Sequence, residues 1–239
     1  DDFARVLNKR LRVIFNHYAR DLDIVETIYE RDKETPIMER DAPPITGHIL
    51  WSRRFVQRVR EPMEMFQDMA PELLLEHDSK KVVKQFNKIL KVLLTYEYVW
   101  FQAWCRTIKD AASGLDATLL VRARMNSSNE NSQIVEEEYT VNFDSNLLRL
   151  TREAQFLSRL DFVLPSLASK ILVQATRLKL YRDQLKHLLE EWNRVRDKII
   201  PHMRNMFRSH LHHVETRFRP GLVTLTWASP SIENFRKDV

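Results

Sequence analysis

Apolar residues recur along this chain at intervals of three and four, the spacing that places them on one face of an α-helix. Phe3, Leu7, Leu11, Ile14, Tyr18, Leu22, Val25 and Tyr29 trace one such face and predict a helix from Phe3 to about Tyr29. Asp1 and Asp2 complement the positive end of its dipole. The periodicity dissolves between Glu30 and Ala42, a charged stretch containing Pro36 that reads as a connection. Pro43 and Pro44 then hold the chain extended, and Thr46 and Gly47 open a second helix. Ile49, Leu50, Phe55, Val56 and Val59 lie on one side of it with Trp51 beside them, and Arg53, Arg54, Arg58 and Arg60 on the other. Pro62 removes a backbone donor, which predicts a kink or restart before Met63, Met65 and Phe66 continue the stripe.

Pro71 and the charged turn at Glu76 to Ser79 lead into a third helix, with Asp78 or Ser79 as its cap. Val82, Phe86, Ile89, Leu93, Tyr96, Trp100, Trp104 and Ile108 line its buried side as far as about Ala112. Glu97 sits among these positions, where pairing with a base and exposure to water fit the pattern equally well. Trp100, Phe101 and Trp104 read as core, since aromatic residues at helical spacing serve packing far more often than a ligand. Ser113-Gly114 predicts the stop. Alternation then replaces the helical period. Leu119 to Ala123 and Glu138 to Phe143 read as two strands of a hairpin around a long mobile loop, Asn126 to Gln133.

Asp144 is placed to cap the next helix, whose stripe is Leu147, Leu150, Ala154, Leu157 and Leu160. Pro165 opens the longest helix, reaching nearly to Pro201 along Ile171, Ala175, Leu178, Leu185, Leu189, Trp192, Val195 and Ile199. Met203, Phe207, Leu211, Val214 and Phe218 form a further stripe. Arg219-Pro220-Gly221-Leu222 reads as a corner, and Ser229-Pro230 as the start of a final helix. The fold class expected is all-α: an elongated bundle of long helices with one β-hairpin inserted near residues 117–143.

Composition sharpens this picture at few points. Three glycines and nine prolines in 239 residues leave little punctuation, which favours long helices over a strand-and-turn fold. Charged residues make up 30% and hydrophobic ones 44%, a proportion that suits helices with a narrow buried stripe. The net charge of +5 is spread among interleaved acids and bases, so charge alone establishes no nucleic-acid partner. Cys105 is the one cysteine, which fits a reducing compartment and excludes a disulfide within the chain. No run of about 18 apolar residues predicts a membrane span. Asn126-Ser127-Ser128 matches a glycosylation sequon by chance. Residues 1–239 read as a piece of a longer polypeptide that continues at both ends.

Candidate chemistry is sparse. His202, His210, His212 and His213 cluster near Glu215, and His210 and His213 share a helical face, so a metal site can be drawn. HExxH and CxxC are both absent, and a surface histidine cluster is the better reading. Gly47, Gly114 and Gly221 cannot supply the two glycines of a Walker A loop, and no GxSxG elbow is present.

Four ordered motifs carry a resemblance. Pro43-Pro44-Ile-x-Gly47-x-Ile-x-Trp51-x-Arg, with Arg-Val-x-x-Pro62-Met, resembles a signature in the N-terminal tail of dynein heavy chains, closer to axonemal than to cytoplasmic members. Glu97 and Trp104 match an acid-then-tryptophan helix of the same tails. Leu-Leu-Val, Val-Asn142-Phe143-Asp144, Leu-Thr-Arg-Glu-Ala and Leu-Ser-Arg-Leu follow in family order, and Pro220-Gly221-Leu with Leu-Thr-Trp227 completes the set. Asp161 departs from it, standing where the family often has glycine.

The resemblance spans most of the chain and implies a non-catalytic tail scaffold of an axonemal dynein motor, with the outer arm as one option. It implies structural roles for the motif residues and partners among WD-repeat intermediate chains, other heavy chains and, indirectly, light chains and docking proteins. It places the chain on doublet microtubules of a cilium or flagellum. ATP and magnesium are implied only for a distant motor region, with no cofactor, nucleic acid or membrane for these residues. A basic helical module binding acidic polymers, such as tubulin tails or nucleic acid, is the alternative from the residues alone, and a histidine-based hydrolase a distant third.

Overall fold

A computed structural model describes residues 2–125 and 136–239 of the chain. In order, the described residues form α1 (Asp2–Asp32), α2 (Pro44–Met69), α3 (Pro71–Leu75), α4 (His77–Ala112), β1 (Leu120–Met125), β2 (Glu136–Val141), α5 (Ser145–Arg159), α6 (Ser166–Lys198), α7 (Arg204–Val223) and α8 (Ile232–Asp238). The architecture is all-α with one inserted antiparallel hairpin, as the periodicity predicts. The chain divides into two compact units, Asp1–Arg106 and Thr107–Val239, with the division falling inside α4.

In the first unit the core forms where α1, α2 and α4 each present one apolar stripe. Phe15, Tyr18, Leu22 and Val25 from α1 meet Val56, Val59, Met63 and Phe66 from α2 and Phe86, Ile89 and Leu93 from α4. Phe15 and Phe66 meet edge to face at 5.1 Å, the arrangement that ring quadrupoles favour. The stripe of α1 differs from the predicted one at its centre. Phe15 is buried, whereas Ile14 is 55% exposed and Leu7 45%. Two adjacent apolar residues make both tracks plausible in sequence, and the partner helices select the track through residues 15, 18, 22 and 25.

Pro62 neither ends nor restarts α2, which runs unbroken to Met69. Val59, Met63 and Phe66 bracket it on the buried face, so tertiary packing offsets the lost backbone bond. Pro44, not Thr46, is the first residue of this helix, with Pro43 extended at its N-cap. α4 begins at His77, ahead of the predicted caps, so Asp78 lies in its first turn and Ser79 is buried.

In the second unit α6 and α7 pack against the hairpin, α5 packs on α6, and α8 on α6 and α7. The hairpin register pairs Leu120 with Val141 and Arg122 with Tyr139. The predicted loop from Asn126 to Gln133 lies outside the described residues. Tyr139 on β2 and Trp192 on α6 both pack against the Phe218 ring of α7, at 5.4 and 5.8 Å between ring centroids. α6 starts one residue after Pro165, which is its extended N-cap, and α4, not α6, is the longest helix. Tyr181 joins the buried face of α6, while Val195 is 53% exposed.

Three predicted turns differ. Gly114 does not take a left-handed stop conformation, since no glycine here has positive φ; it lies in a 3-10 turn, Ser113–Asp116. Pro220 and Gly221 form no corner but belong to α7, which continues to Val223. Ser229-Pro230 is not the helix start either: Ser231 occupies the N-cap position of α8, and Ser229 Oγ accepts from Thr226 N at 3.0 Å.

Asp161 resolves its own anomaly. It is the one non-glycine residue with positive φ, 63°, among the described residues. Phe162 N donates to Leu157 O at 3.1 Å and Asp161 N to Ser158 O at 3.3 Å, the pair of bonds that closes a helix when the residue after its C-cap turns left-handed. Glycine is unstrained there, whereas a side chain crowds the carbonyl. Asp161→Gly should therefore raise the unfolding free energy by about 1 kcal/mol, measured as a higher urea midpoint at unchanged slope.

Candidate functional site

The motif residues fall into two packed joints, one in each unit. In the first, Pro43 and Pro44 aim the start of α2 so that two successive polar side chains, Ser52 and Arg53, reach the neighbouring helix α4. Ser52 Oγ donates to Leu93 O at 2.8 Å, and Arg53 donates to the Glu97 carboxylate, with Nη2 at 2.9 Å from Oε1. Glu97 is thus paired. Tyr18 Oη donates to Val59 O at 2.8 Å and ties α1 to α2. Gly47 lets the connection pass close by, since a Cβ there would lie 2.7 Å from Met38 Sδ.

Trp51 is the hub of the aromatic packing. Its ring is 6% exposed and meets Tyr29 at 6.0 Å, Phe55 at 5.1 Å and Tyr96 at 5.5 Å. His48 stacks on Trp100 with centroids 3.6 Å apart and 13° between the planes. Its Nδ1 lies 2.6 Å from Tyr96 Oη, which itself donates to Lys33 O at 2.9 Å. A phenol has one proton, so the imidazole carries its own on Nδ1 and donates it to Tyr96. Trp104 is buried further along α4, against Phe101.

Burial lowers the His48 pKa below its ordinary 6.5 and raises those of Tyr29 and Tyr96. The unfolded chain then binds a proton that the folded chain resists. The stability that neutral His48 provides is present above about pH 6.5 and is lost as pH falls toward the depressed folded value. Thermal melts from pH 7.5 to 5.5 should show a loss of Tm that His48→Gln reduces. An equal loss in both proteins would assign the acid sensitivity elsewhere. Burial likewise raises the Cys105 thiol, which reduces its reactivity as a nucleophile.

The second joint gathers the remaining motifs. Trp227 is 2% exposed, and its Nε1 donates to Asn142 O at 2.5 Å. Its ring meets Phe143 edge-on at 4.6 Å. Asn142 N donates to Leu119 O, Leu119 N to Leu225 O, and Ala228 N to Leu115 O, so residues 225–228 run beside the approach to β1. Asp144 caps α5 by accepting from Asn146 N at 2.8 Å. Two glycines of this unit, Gly114 and the motif residue Gly221, serve close approach: a Cβ on Gly114 would lie 2.8 Å from Asp144 Cβ, and one on Gly221 2.7 Å from the Phe235 ring. Pro220 sits beside Gly221 in α7.

These joints offer hydrogen bonds, stacking and shape. His202, His210, His212 and His213 are exposed, and among the described residues no group of three or more His, Cys, Asp or Glu is arranged to hold a metal. No described helix is long and apolar enough to cross a membrane. Sequence reasoning passed over His48 and Ser52, because their partners lie 48 and 41 residues away. The one local signal was polar residues on an otherwise apolar face.

Similarity to known proteins extends over nearly the whole chain. A flagellar outer-arm dynein gamma chain of Chlamydomonas reinhardtii is 35% identical over 229 residues, or 96% of this chain. Axonemal dynein heavy chain 5 of Mus musculus is 33% identical over the same share, and axonemal dynein heavy chain 8 of Homo sapiens is 31% identical over 98%. This chain spans about 5% of the length of each. The model of the dynein heavy chain N-terminal region 1 matches residues 1–235, and the chain belongs to that family.

Proposed function

We propose that this chain is part of the tail scaffold of an axonemal dynein motor, where it supports heavy-chain association, binding of WD-repeat intermediate chains and anchoring to doublet microtubules in a cilium or flagellum. The family match over residues 1–235, with relatives named as axonemal and flagellar heavy chains, carries this reading. Residues 1–239 are one piece of a longer heavy chain, and the motif residues between Pro43 and Trp227 act by fixing the positions of helices and connections. ATP and magnesium belong to the motor region of that longer chain. The joints support this view, because the polar groups of the first bind α2 to its neighbouring helices and those of the second bind the connections beside the hairpin to one another.

A pull-down of intermediate chains and of a neighbouring heavy-chain tail, at two salt concentrations, tests the proposal. Capture of either at stoichiometric level in both salts is expected. Capture of neither would count against it, and binding of acidic polymers alone, abolished by salt, would favour the basic-module alternative.

A further inference from the structure

Between α5 and α6 lies an open groove of about 900 Å³ with a cationic rim. Arg152 and Arg159 reach it from α5, Lys179 and Arg182 from α6, and no Asp or Glu is among the residues that line it. Phe143 and Phe156 contribute apolar surface to the same groove. The Arg159 guanidinium lies 5.6 Å from the Phe156 ring centroid and that of Arg182 5.7 Å from Phe143. Such stacking orients a guanidinium without cancelling its charge. Asp183 pairs with Arg182 at 2.6 Å, and Arg152 has an interaction of its own within the chain, so two of the four cations are offset in part. Arg152, Arg159 and Lys179 are exposed.

Four like charges facing one groove repel each other, and an anionic partner relieves that repulsion. The apolar surface narrows the chemistry further. A bare phosphate gains nothing from Phe143 and Phe156, whereas a segment with carboxylates on one edge and aliphatic side chains on the other satisfies both parts of the groove.

We propose that the groove between α5 and α6 docks an acidic amphipathic helix of a partner polypeptide, its Asp and Glu side chains on the four cations and its aliphatic side chains over Phe143 and Phe156. This rests on the reading of the chain as an assembly scaffold and adds a location and a partner chemistry to it. Phe143 also packs on Trp227, so the groove is built on the second joint.

The probe is a fluorescein-labelled 20-residue peptide with Glu and Leu at helical spacing, titrated with the whole 239-residue chain and followed by anisotropy. Saturable binding is expected, weakened about tenfold or more by Arg159→Glu with Lys179→Glu and less by the Gln pair. Circular dichroism should stay unchanged, because both side chains are exposed. Arg208→Glu with Arg217→Glu on α7 should leave binding intact. A peptide with Gly for each Leu, and one with Gln for each Glu, should both bind more weakly. No binding, equal loss on reversing the α7 charges, full binding by the Gly peptide, or displacement by equimolar tripolyphosphate would each overturn the proposal. Capture of intermediate chain in the pull-down together with failure of the peptide would remove the groove and keep the scaffold.

Discussion

Trp51→Ala is expected to lower the unfolding free energy by about 3 to 5 kcal/mol, the range for deleting a large buried aromatic side chain. The ring touches Tyr29 on α1, Phe55 on its own helix and Tyr96 on α4, so its loss opens a cavity where three helices meet. The hydrogen bond from Tyr96 to Lys33 O depends on the same packing and should weaken with it. Urea denaturation followed by far-UV circular dichroism measures the effect. A variant with an unchanged midpoint that no longer captures a partner would make Trp51 an interface residue instead.

Trp227 allows two effects to be separated in the second unit. Trp227→Phe keeps most of the ring but leaves the Asn142 carbonyl without its indole donor, which should cost about 1 to 3 kcal/mol. Trp227→Ala also removes the edge contact with Phe143 and should cost about 3 to 5 kcal/mol. Equal midpoints for the two variants would show that packing contributes little beyond the hydrogen bond. Hydrogen exchange gives a second check, since residues 115–119 and 225–228 bond each other across this joint and should lose protection together.

Periodicity made most of the fold legible. The helices, the hairpin and the Asp144 cap follow from local patterns, because each depends on residues within a few positions of one another. Misplaced features depend on partners distant in sequence. The choice of Phe15 over Ile14 on α1 is made by α2 and α4, and the unbroken course of α2 past Pro62 is held by contacts that its local sequence does not encode. Gly221 shows the same limit. Beside Pro220 it looks like a turn, yet its small size serves the approach of Phe235 to α7. The pairing of Glu97 with Arg53, left open by the pattern, required knowing that α2 and α4 lie side by side in the first unit. At Asp161 the departure from the family glycine left the turn geometry open, and the φ of 63° shows that the left-handed turn is kept with a side chain in it.

The proposed scaffold role assigns shape and binding to these residues and nucleotide chemistry to a motor region elsewhere. Cosedimentation of the purified chain with microtubules, with and without ATP, tests it most directly. The same pelleted fraction is expected in both conditions, including any weak association through basic side chains, which salt would reduce. ATP-dependent release of this chain alone would contradict it.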